Sequence, residues 1–367
     1  MNATTPLRVL MTTDTIGGVW TYALDLCGAL APHGVSVALA TMGAPLSNAA
    51  RASVNRLPNV ELFESQGRLE WMPDAAEDVA RVGEWLLKLE KTVRPDLIHL
   101  NEYADGALPF QAPVLVVGHS CVSSWWRAVR GGDPPAEWNA YWRAVAAGLR
   151  GADQVVAPSI AMLRALQEHY GMKGGLVIYH GRDPEHFSLQ RKEPFVLAVG
   201  RLWDEAKNIS TLADIAESLS WPTYIAGEER IADGGSAPLG GIHRLGVMSP
   251  AELGDWYGRA SIYALPARYE PFGLSVLEAA LSGCALVLGN IPSLREVWNE
   301  AAEYVPPNDS AALRGTIERL IDDGPRRAEL GRLARQRAAE FTPARMAAEY
   351  LTVYRELVAV GAARCAS

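Results

Sequence analysis

No run of eighteen uninterrupted apolar residues occurs in this chain, so the ordinary signature of a membrane-spanning helix is missing. The opening Met1-Asn2-Ala3-Thr4-Thr5-Pro6 has neither a basic stretch nor an apolar core, and a cytoplasmic location is expected. Cysteine is sparse. Cys27, Cys121, Cys284 and Cys365 are scattered without a C-x-x-C pair, which removes a disulfide framework and a thiolate metal site and leaves reduced packing residues. A basic excess is also missing: the formal net charge is −8 and neither half of the chain is basic, against general binding of nucleic acid. A local Arg/Lys cluster that holds a diphosphate remains compatible with that balance. Neither an internal repeat nor a low-complexity tract is found.

What is present is a repeated strand and helix pattern. A chain of 367 residues, 49% hydrophobic and 21% charged, exceeds what one core usually serves, so two domains are expected. Short apolar runs at Leu7–Thr12, Val35–Ala40, Val60–Phe63, Leu97–Leu100, Val114–Val117 and Gln154–Ala157 read as strands. Helical spacing falls near 77–92, 136–150 and 159–170, and over Gly17–Leu30 with Trp20, Leu24, Cys27 and Ala31 on one stripe. The charged stretch Arg182–Glu193 is the expected linker. The pattern restarts at Phe195–Val199 and continues with strands at Thr223–Ala226, Ile262–Leu265 and Ala285–Leu288. The glycine-rich Ala232–Gly241 is expected to be a surface loop. Two long helices, Arg326–Ala339 and Pro343–Val360, close the chain, with Pro343 at a helix start. Repeated βα units imply parallel sheets covered on both faces. The expected α/β architecture is two Rossmann-like domains facing across a cleft, with ligand loops at the carboxyl ends of the strands.

The most informative segment is Glu270-Pro-Phe-Gly-Leu-Ser-Val-Leu-Glu278. Glu270 lies on a loop after a strand, and Glu278 in the first turns of the next helix. The amides near Phe272, Gly273 and Leu274 would point at an anion or at sugar hydroxyls. Carboxylates there can accept hydrogen bonds from a ribose or hexose diol; a capped helix with two solvated acids fits the segment too. The first βα turn, Thr12-Thr-Asp-Thr-Ile-Gly-Gly-Val-Trp20, offers Gly17 and Gly18 for close approach of a phosphate or sugar. It is not a G-x-G-x-x-G fingerprint, and no G-x-x-x-x-G-K-[ST] occurs, so dinucleotide and P-loop readings lose their main support. Gly200-Arg-Leu-Trp-Asp-Glu-Ala-Lys-Asn208 follows the first strand of the second half, and Arg201 and Lys207 could meet the charge of a departing nucleoside diphosphate. His119 follows the strand Val114–Val117; with an ordinary imidazole pKa of ~6.5 it could bond a sugar hydroxyl or assist an acceptor. Trp125, Trp126 and Arg127, with Arg130, Trp138 and Trp142 beyond, form an aromatic and basic stretch where an acceptor could stack; Trp138 and Trp142 are spaced for one helical face.

Gly17 and Gly18, His119, Arg201 with Lys207, and Glu270 to Glu278 stand in the order found in retaining GT-B glycosyltransferases of the large family-4 type, which the chain resembles over nearly its whole length. The resemblance implies residues 1–182 as an acceptor-side domain, 194–342 as a nucleotide-sugar domain, and 343–367 as a helix crossing back to the first. It implies that Glu278 binds the donor ribose and Glu270 the transferred sugar. Arg201 and Lys207 would hold the diphosphate, with no metal or other cofactor and with front-side attack on the sugar. His119, Arg201, Lys207 and Glu270 would be the catalytic set. Asn208 departs from the glycine that often follows the lysine, but asparagine also tolerates left-handed backbone. The expected partners are a nucleotide-diphosphate sugar and an acceptor left open among lipid-linked saccharides, polysaccharide precursors and small metabolites. A lipid-linked acceptor would bring the protein to the inner face of the membrane.

Other classes stay open. Gly118-His-Ser-Cys-Val122 partly matches a G-x-S-x-G elbow with Ser120 as nucleophile, although Val122 stands where a glycine is needed. A non-catalytic sugar or nucleotide binder and a nucleotide-sugar epimerase share the architecture.

Overall fold

The computed structural model describes residues 6–15, 17–228 and 240–365. The chain forms two compact units, Met1–Ser124 with Asp133–Gly181 and Pro343–Ser367, and Trp125–Gly132 with Arg182–Thr342. The expected linker, Arg182–Glu193, thus belongs to the second unit. So does the segment 125–132, which the sequence reading kept in the first domain. Its Arg130 pairs with Glu205 at 2.6 Å.

The first unit is built on seven parallel strands, β1 (Leu7–Asp14), β2 (Val35–Met42), β3 (Val60–Glu64), β4 (Leu97–Leu100), β5 (Val114–Val117), β6 (Gln154–Ala157) and β7 (Leu176–Val177). Their order is β3-β2-β1-β4-β5-β6-β7. Side chains alternate across the sheet, so its apolar strands make two cores. Leu10, Ile98 and Val116 enter one, and Val9, Met11, Leu97, Leu115 and Val117 the other. The last helix, Pro343–Cys365, returns to this second face and buries Met346, Tyr350, Leu351 and Tyr354 there. At about 1.5–3 kcal/mol for each large apolar side chain taken out of water, those contacts fix the helix on a sheet that lies far from it in sequence.

Two sequence expectations need correction. The helix Gly18–Leu30 centres its buried face on Tyr22, Ala23, Leu26, Cys27 and Leu30, so that of the expected stripe Cys27 is buried while Trp20 and Leu24 pack half-buried against the same core. The cause is tertiary: Tyr22 gains polar partners in the core, its hydroxyl donating to Tyr350 Oη at 2.7 Å and lying 3.3 Å from His99 Nε2. The helix expected over 136–150 is a 3-10 turn, Ala136–Trp138, followed by a helix, Asn139–Gly151. Trp138 therefore lies edge-on to Tyr141, while Trp142 stacks on Tyr170.

The second unit carries six parallel strands, β8 (Glu193–Val199), β9 (Thr223–Ala226), β10 (Ile242–Gly246), β11 (Ala260–Leu265), β12 (Ala285–Gly289) and β13 (Glu303–Val305). They are ordered β10-β9-β8-β11-β12-β13. The sequence reading omitted β10 and β13, as it did the two-residue β7 of the first unit: β10 exposes His243 and Arg244 and β13 has three residues, so neither presents an apolar run. Strand order reverses between β8 and β11, as it does between β1 and β4, and loops diverge where it reverses. Most of the glycine-rich loop expected at Ala232–Gly241 lies outside the described residues. Among those residues no helix is long and apolar enough to cross a membrane.

Candidate functional site

In the second unit the carboxyl ends of β8 and β11 carry the two loops singled out by sequence, and the backbone ties them together. The amides of Arg268 and Tyr269 both donate to Ala206 O, at 2.8 and 3.3 Å. Asp204 shapes the first loop: its Oδ1 accepts from the Ala206 amide at 3.0 Å and its carbonyl from the Lys207 amide at 2.9 Å. Its other carboxylate oxygen accepts from Arg201 at 2.9 Å, and the Arg201 guanidinium lies 4.9 Å over the Trp203 ring. Asn208 adopts left-handed backbone with φ +57°, the geometry the sequence reading allowed it. Its Nδ2 donates to Pro266 O at 2.8 Å and to Pro307 O at 2.6 Å, and its Oδ1 accepts from Thr211 at 2.8 Å.

Lys207 and Glu270 are brought together, Nζ to Oε2 at 2.5 Å, with side chains 20% and 10% exposed. Ser293 donates to the Glu270 carbonyl at 2.5 Å, which holds the carboxylate from its backbone side. Gly273 then opens the helix Leu274–Leu281 at φ +95°, with no side chain capping it; that left-handed backbone favours glycine. The Phe272 ring is buried, edge-on to Phe341 at 5.7 Å, so only its backbone can serve a ligand. Glu278, one turn into the helix, faces Arg182, whose Nε lies 3.0 Å from Oε1. Burial, then the Glu278 carboxylate, hold the neighbouring Tyr257 hydroxyl well above its ordinary pKa.

In the first unit Gly17 takes φ +82° and ψ −144° at the start of its helix, with no side chain capping it and open space where a Cβ would stand. Gly18 is the first helical residue. His119 follows β5 as expected, but not with an ordinary imidazole: burial pushes its pKa down to about 3. Its Nε2 lies 2.8 Å from Asn101 Oδ1 and its Nδ1 3.3 Å from His180 Nε2. Asn101 Nδ2 donates to Thr12 O at 2.6 Å, which leaves Oδ1 as the acceptor. The His119 proton therefore sits on Nε2, Nδ1 is an acceptor, and His180 donates to it from Nε2. Burial also lowers His99, to about 3, and His180; these imidazoles are neutral at ordinary pH. Nearby, Thr12 donates to Glu102 at 2.9 Å, and burial followed by the charges of Asp14, Asp105 and Glu70 raises the Glu102 pKa well above the carboxylate range.

Trp125 and Trp126 are half-buried on the helix Val122–Arg130, in T-shaped contact at 5.9 Å, with Arg130 5.9 Å over both rings. Arg127 is exposed. Ser120 is exposed, and the histidine beside it spends both ring nitrogens on Asn101 and His180; the nucleophile and base pair that a serine hydrolase needs is not formed there. Among the described residues no cluster of three or more His, Cys, Asp or Glu has metal-holding geometry.

The sequence reading missed Asn101, His180, Arg182, Asp204 and Ser293. Asn101 directly follows β4, and the rule that ligand loops leave the carboxyl ends of strands would have found it. His180 sits in a stretch that the sequence reading gave to no element, and Arg182 opens the expected linker. Nothing local marks them.

Residues 16–186 match the family model described as Glycosyltransferase Family 4, and residues 181–337 match the one described as Glycosyl transferases group 1. The chain is similar to a D-inositol 3-phosphate glycosyltransferase of Paenarthrobacter aurescens, 33% identical over 175 residues, 46% of this chain and 42% of the relative. It is also similar to an MMP alpha-(1->4)-mannosyltransferase of Mycolicibacterium hassiacum, 32% identical over 136 residues, 36% of this chain and 33% of the relative. The matched stretches thus span less than half of these curated relatives. Among solved structures, sucrose-phosphate synthase from Thermosynechococcus elongatus superposes with a TM-score of 0.80 at 22% identity, over 96% of this chain and all of the other. Anabaena HepE in complex with UDP and glucose gives 0.71 at 18% identity, over 95% of this chain and all of the other. At these identities the structures establish the fold, two Rossmann-like domains of the GT-B type.

Proposed function

Because this chain belongs to the GT-B glycosyltransferases of the family-4 type, we propose that it moves a hexose from a nucleotide-diphosphate sugar to an acceptor hydroxyl, with retention of anomeric configuration and without a metal. The observation that carries this reading is the joining of the β8 and β11 loops, through Ala206 in the backbone and Lys207 with Glu270 in the side chains. In the reading, Arg201 and Lys207 meet the diphosphate, Glu278 accepts from ribose hydroxyls, and Glu270 with the amides of Phe272, Gly273 and Leu274 takes the hydroxyls of the sugar. Gly17 and Gly18 would admit a phosphate or sugar without a Cβ in the way, and His119 would give its Nε2 proton to a sugar hydroxyl only by releasing Asn101.

The sugar C1 to phosphate oxygen bond breaks, and the acceptor oxygen bonds C1 on the same face. The acceptor proton passes to the departing phosphate oxygen. The two cations stabilise the charge that develops on the leaving diphosphate, and fixed charge partners of this kind are worth several kcal/mol in a water-poor site. Lys207 neutralises Glu270 at 2.5 Å, which makes that carboxylate a poor nucleophile and favours front-side attack over a double displacement. The rings of Trp125 and Trp126, with Arg127, are the proposed acceptor surface. The protein would act in the cytoplasm, at the membrane face if its acceptor is lipid-linked.

Calorimetric titration of UDP, GDP and ADP in EDTA tests the reading, followed by slow hydrolysis of sugars that carry whichever nucleotide binds. Micromolar binding of one nucleotide, weakened about 10- to 100-fold in Glu278→Ala by the loss of hydrogen bonds to a charged acceptor, supports it. No binding by any of the three overturns it.

A further inference from the structure

Arg182 belongs to no role assigned so far, yet it is the cation on the carboxylate proposed to read the ribose. Its Nε lies 3.0 Å from Glu278 Oε1, and the two side chains are only 12% and 13% exposed. The guanidinium is 5.4 Å over the Phe187 ring, and the Arg182 amide donates to Phe341 O at 3.1 Å. Arg182 is thus fixed at both ends. Phe341 in turn packs edge-on against Phe272, beside the backbone amides proposed for the sugar. The residue also opens the longer of the second unit's two segments, next to Gly181 of the first.

A carboxylate at this depth keeps its charge only when it is paired. A guanidinium held at both ends and ion-paired with Oε1 restricts how the carboxylate can turn, and so restricts where Oε2 can accept. Without the guanidinium, the carboxylate gives up its charge or leans wholly on the Tyr257 hydroxyl that already lies against it. Either change removes a directed acceptor for a sugar hydroxyl. We infer that Arg182 is a positioning residue that orients Glu278 and thereby sets the preference of this site for ribonucleoside diphosphates over their 2′-deoxy counterparts. The inference rests on the reading of Glu278 as the ribose ligand.

The experiment is a calorimetric comparison of UDP, GDP and ADP, each with its 2′-deoxy form, on the full chain in wild-type, Glu278→Gln, Arg182→Met and Arg182→Gln forms. The pair taken forward is the one whose ribonucleotide binds the wild type. The expected wild-type preference for the ribonucleotide is about 10-fold, the weight of one hydrogen bond to a charged acceptor. It falls to within 2-fold in Glu278→Gln and in both Arg182 variants. A general loss of folding would weaken both nucleotides alike, so their ratio isolates the positioning role. If Arg182→Met does not fold, Arg182→Gln carries the same comparison. Retention of the wild-type ratio by the Arg182 variants, with its loss in Glu278→Gln, overturns the inference and leaves the ribose role of Glu278 standing. A ratio unchanged in Glu278→Gln overturns that role, and the inference with it.

Discussion

Substitution of Lys207 by methionine separates two things the lysine does. Methionine keeps much of the aliphatic stem but leaves the Glu270 carboxylate, 10% exposed and 2.5 Å from the missing ammonium, without its cation. At an effective dielectric of about 20, a pair this close is worth several kcal/mol of Coulomb energy, and removal of one partner from a buried pair typically costs 3–5 kcal/mol. Lys207 keeps partial access to water, so the lower end applies, and Lys207→Met is expected to lower unfolding free energy by about 3 kcal/mol. The double variant Lys207→Met with Glu270→Gln removes the stranded charge and should recover all but about 1 kcal/mol of the loss. Activity should behave differently. A neutral pair repairs the loop but supplies no cation to the leaving diphosphate, so both variants should lose turnover by ~10²-fold or more on the true donor. Urea unfolding of the four members of the cycle, with kcat on the donor identified by nucleotide binding, gives both quantities. Near-normal kcat in Lys207→Met, or turnover restored in the double variant, would refute the diphosphate role. A stability loss under about 0.5 kcal/mol in Lys207→Met would show the pair to be no more than a surface contact.

Two further outcomes follow from the same geometry. Glu70 accepts from the amides of Tyr103 and Ala104 at 3.2 and 2.7 Å, yet burial raises its pKa to about 7. Because the folded value lies above the unfolded one, the carboxyl's contribution to stability is complete below about pH 4.5 and is lost as pH rises through 7. Glu70→Gln, neutral throughout, should therefore gain on the wild type by about 3 kcal/mol between pH 4 and pH 8; parallel denaturation curves at the two pH values would contradict the shift. Asn208, buried, bonds two proline carbonyls and takes left-handed backbone. Asn208→Gly keeps the backbone but should lose about 2 kcal/mol of stability, and Asn208→Ala about 1 kcal/mol more for a side chain forced into that region. A glycine variant as stable as the wild type in denaturant titration would mean that the three side-chain hydrogen bonds contribute nothing.

Several parts of this protein are fixed by local sequence alone. Strands such as Leu97–Leu100, Val114–Val117 and Thr223–Ala226 begin and end where their apolar runs do, because strands buried on both faces must be apolar at nearly every position. The β8 and β11 loops are marked because chemistry-bearing residues interrupt such runs at their carboxyl ends, and the left-handed position at 208 tolerates asparagine for a reason internal to that residue. Pairing across the fold is a different matter. That Lys207 meets Glu270, that Glu278 meets Arg182 and that Tyr22 meets His99 and Tyr350 depend on residues 63, 96, 77 and 328 positions apart, and no periodicity within one element encodes such a separation. The buried face of the first helix shows why: the sequence offered Trp20 and Leu24 by hydrophobicity, and both pack half-buried against the core, but polar partners on β4 and on the returning C-terminal helix put Tyr22 at its centre. The shift of His119 to about 3 likewise comes from burial produced by assembly of the core. Sequence by itself determined the parallel α/β units and the loops that carry the chemistry, since these follow from hydrophobic period and chain direction. Only the tertiary structure decided which charges are paired, which imidazoles stay neutral and which carboxylate each cation holds, because desolvation and short-range electrostatics depend on distances that arise when remote segments pack.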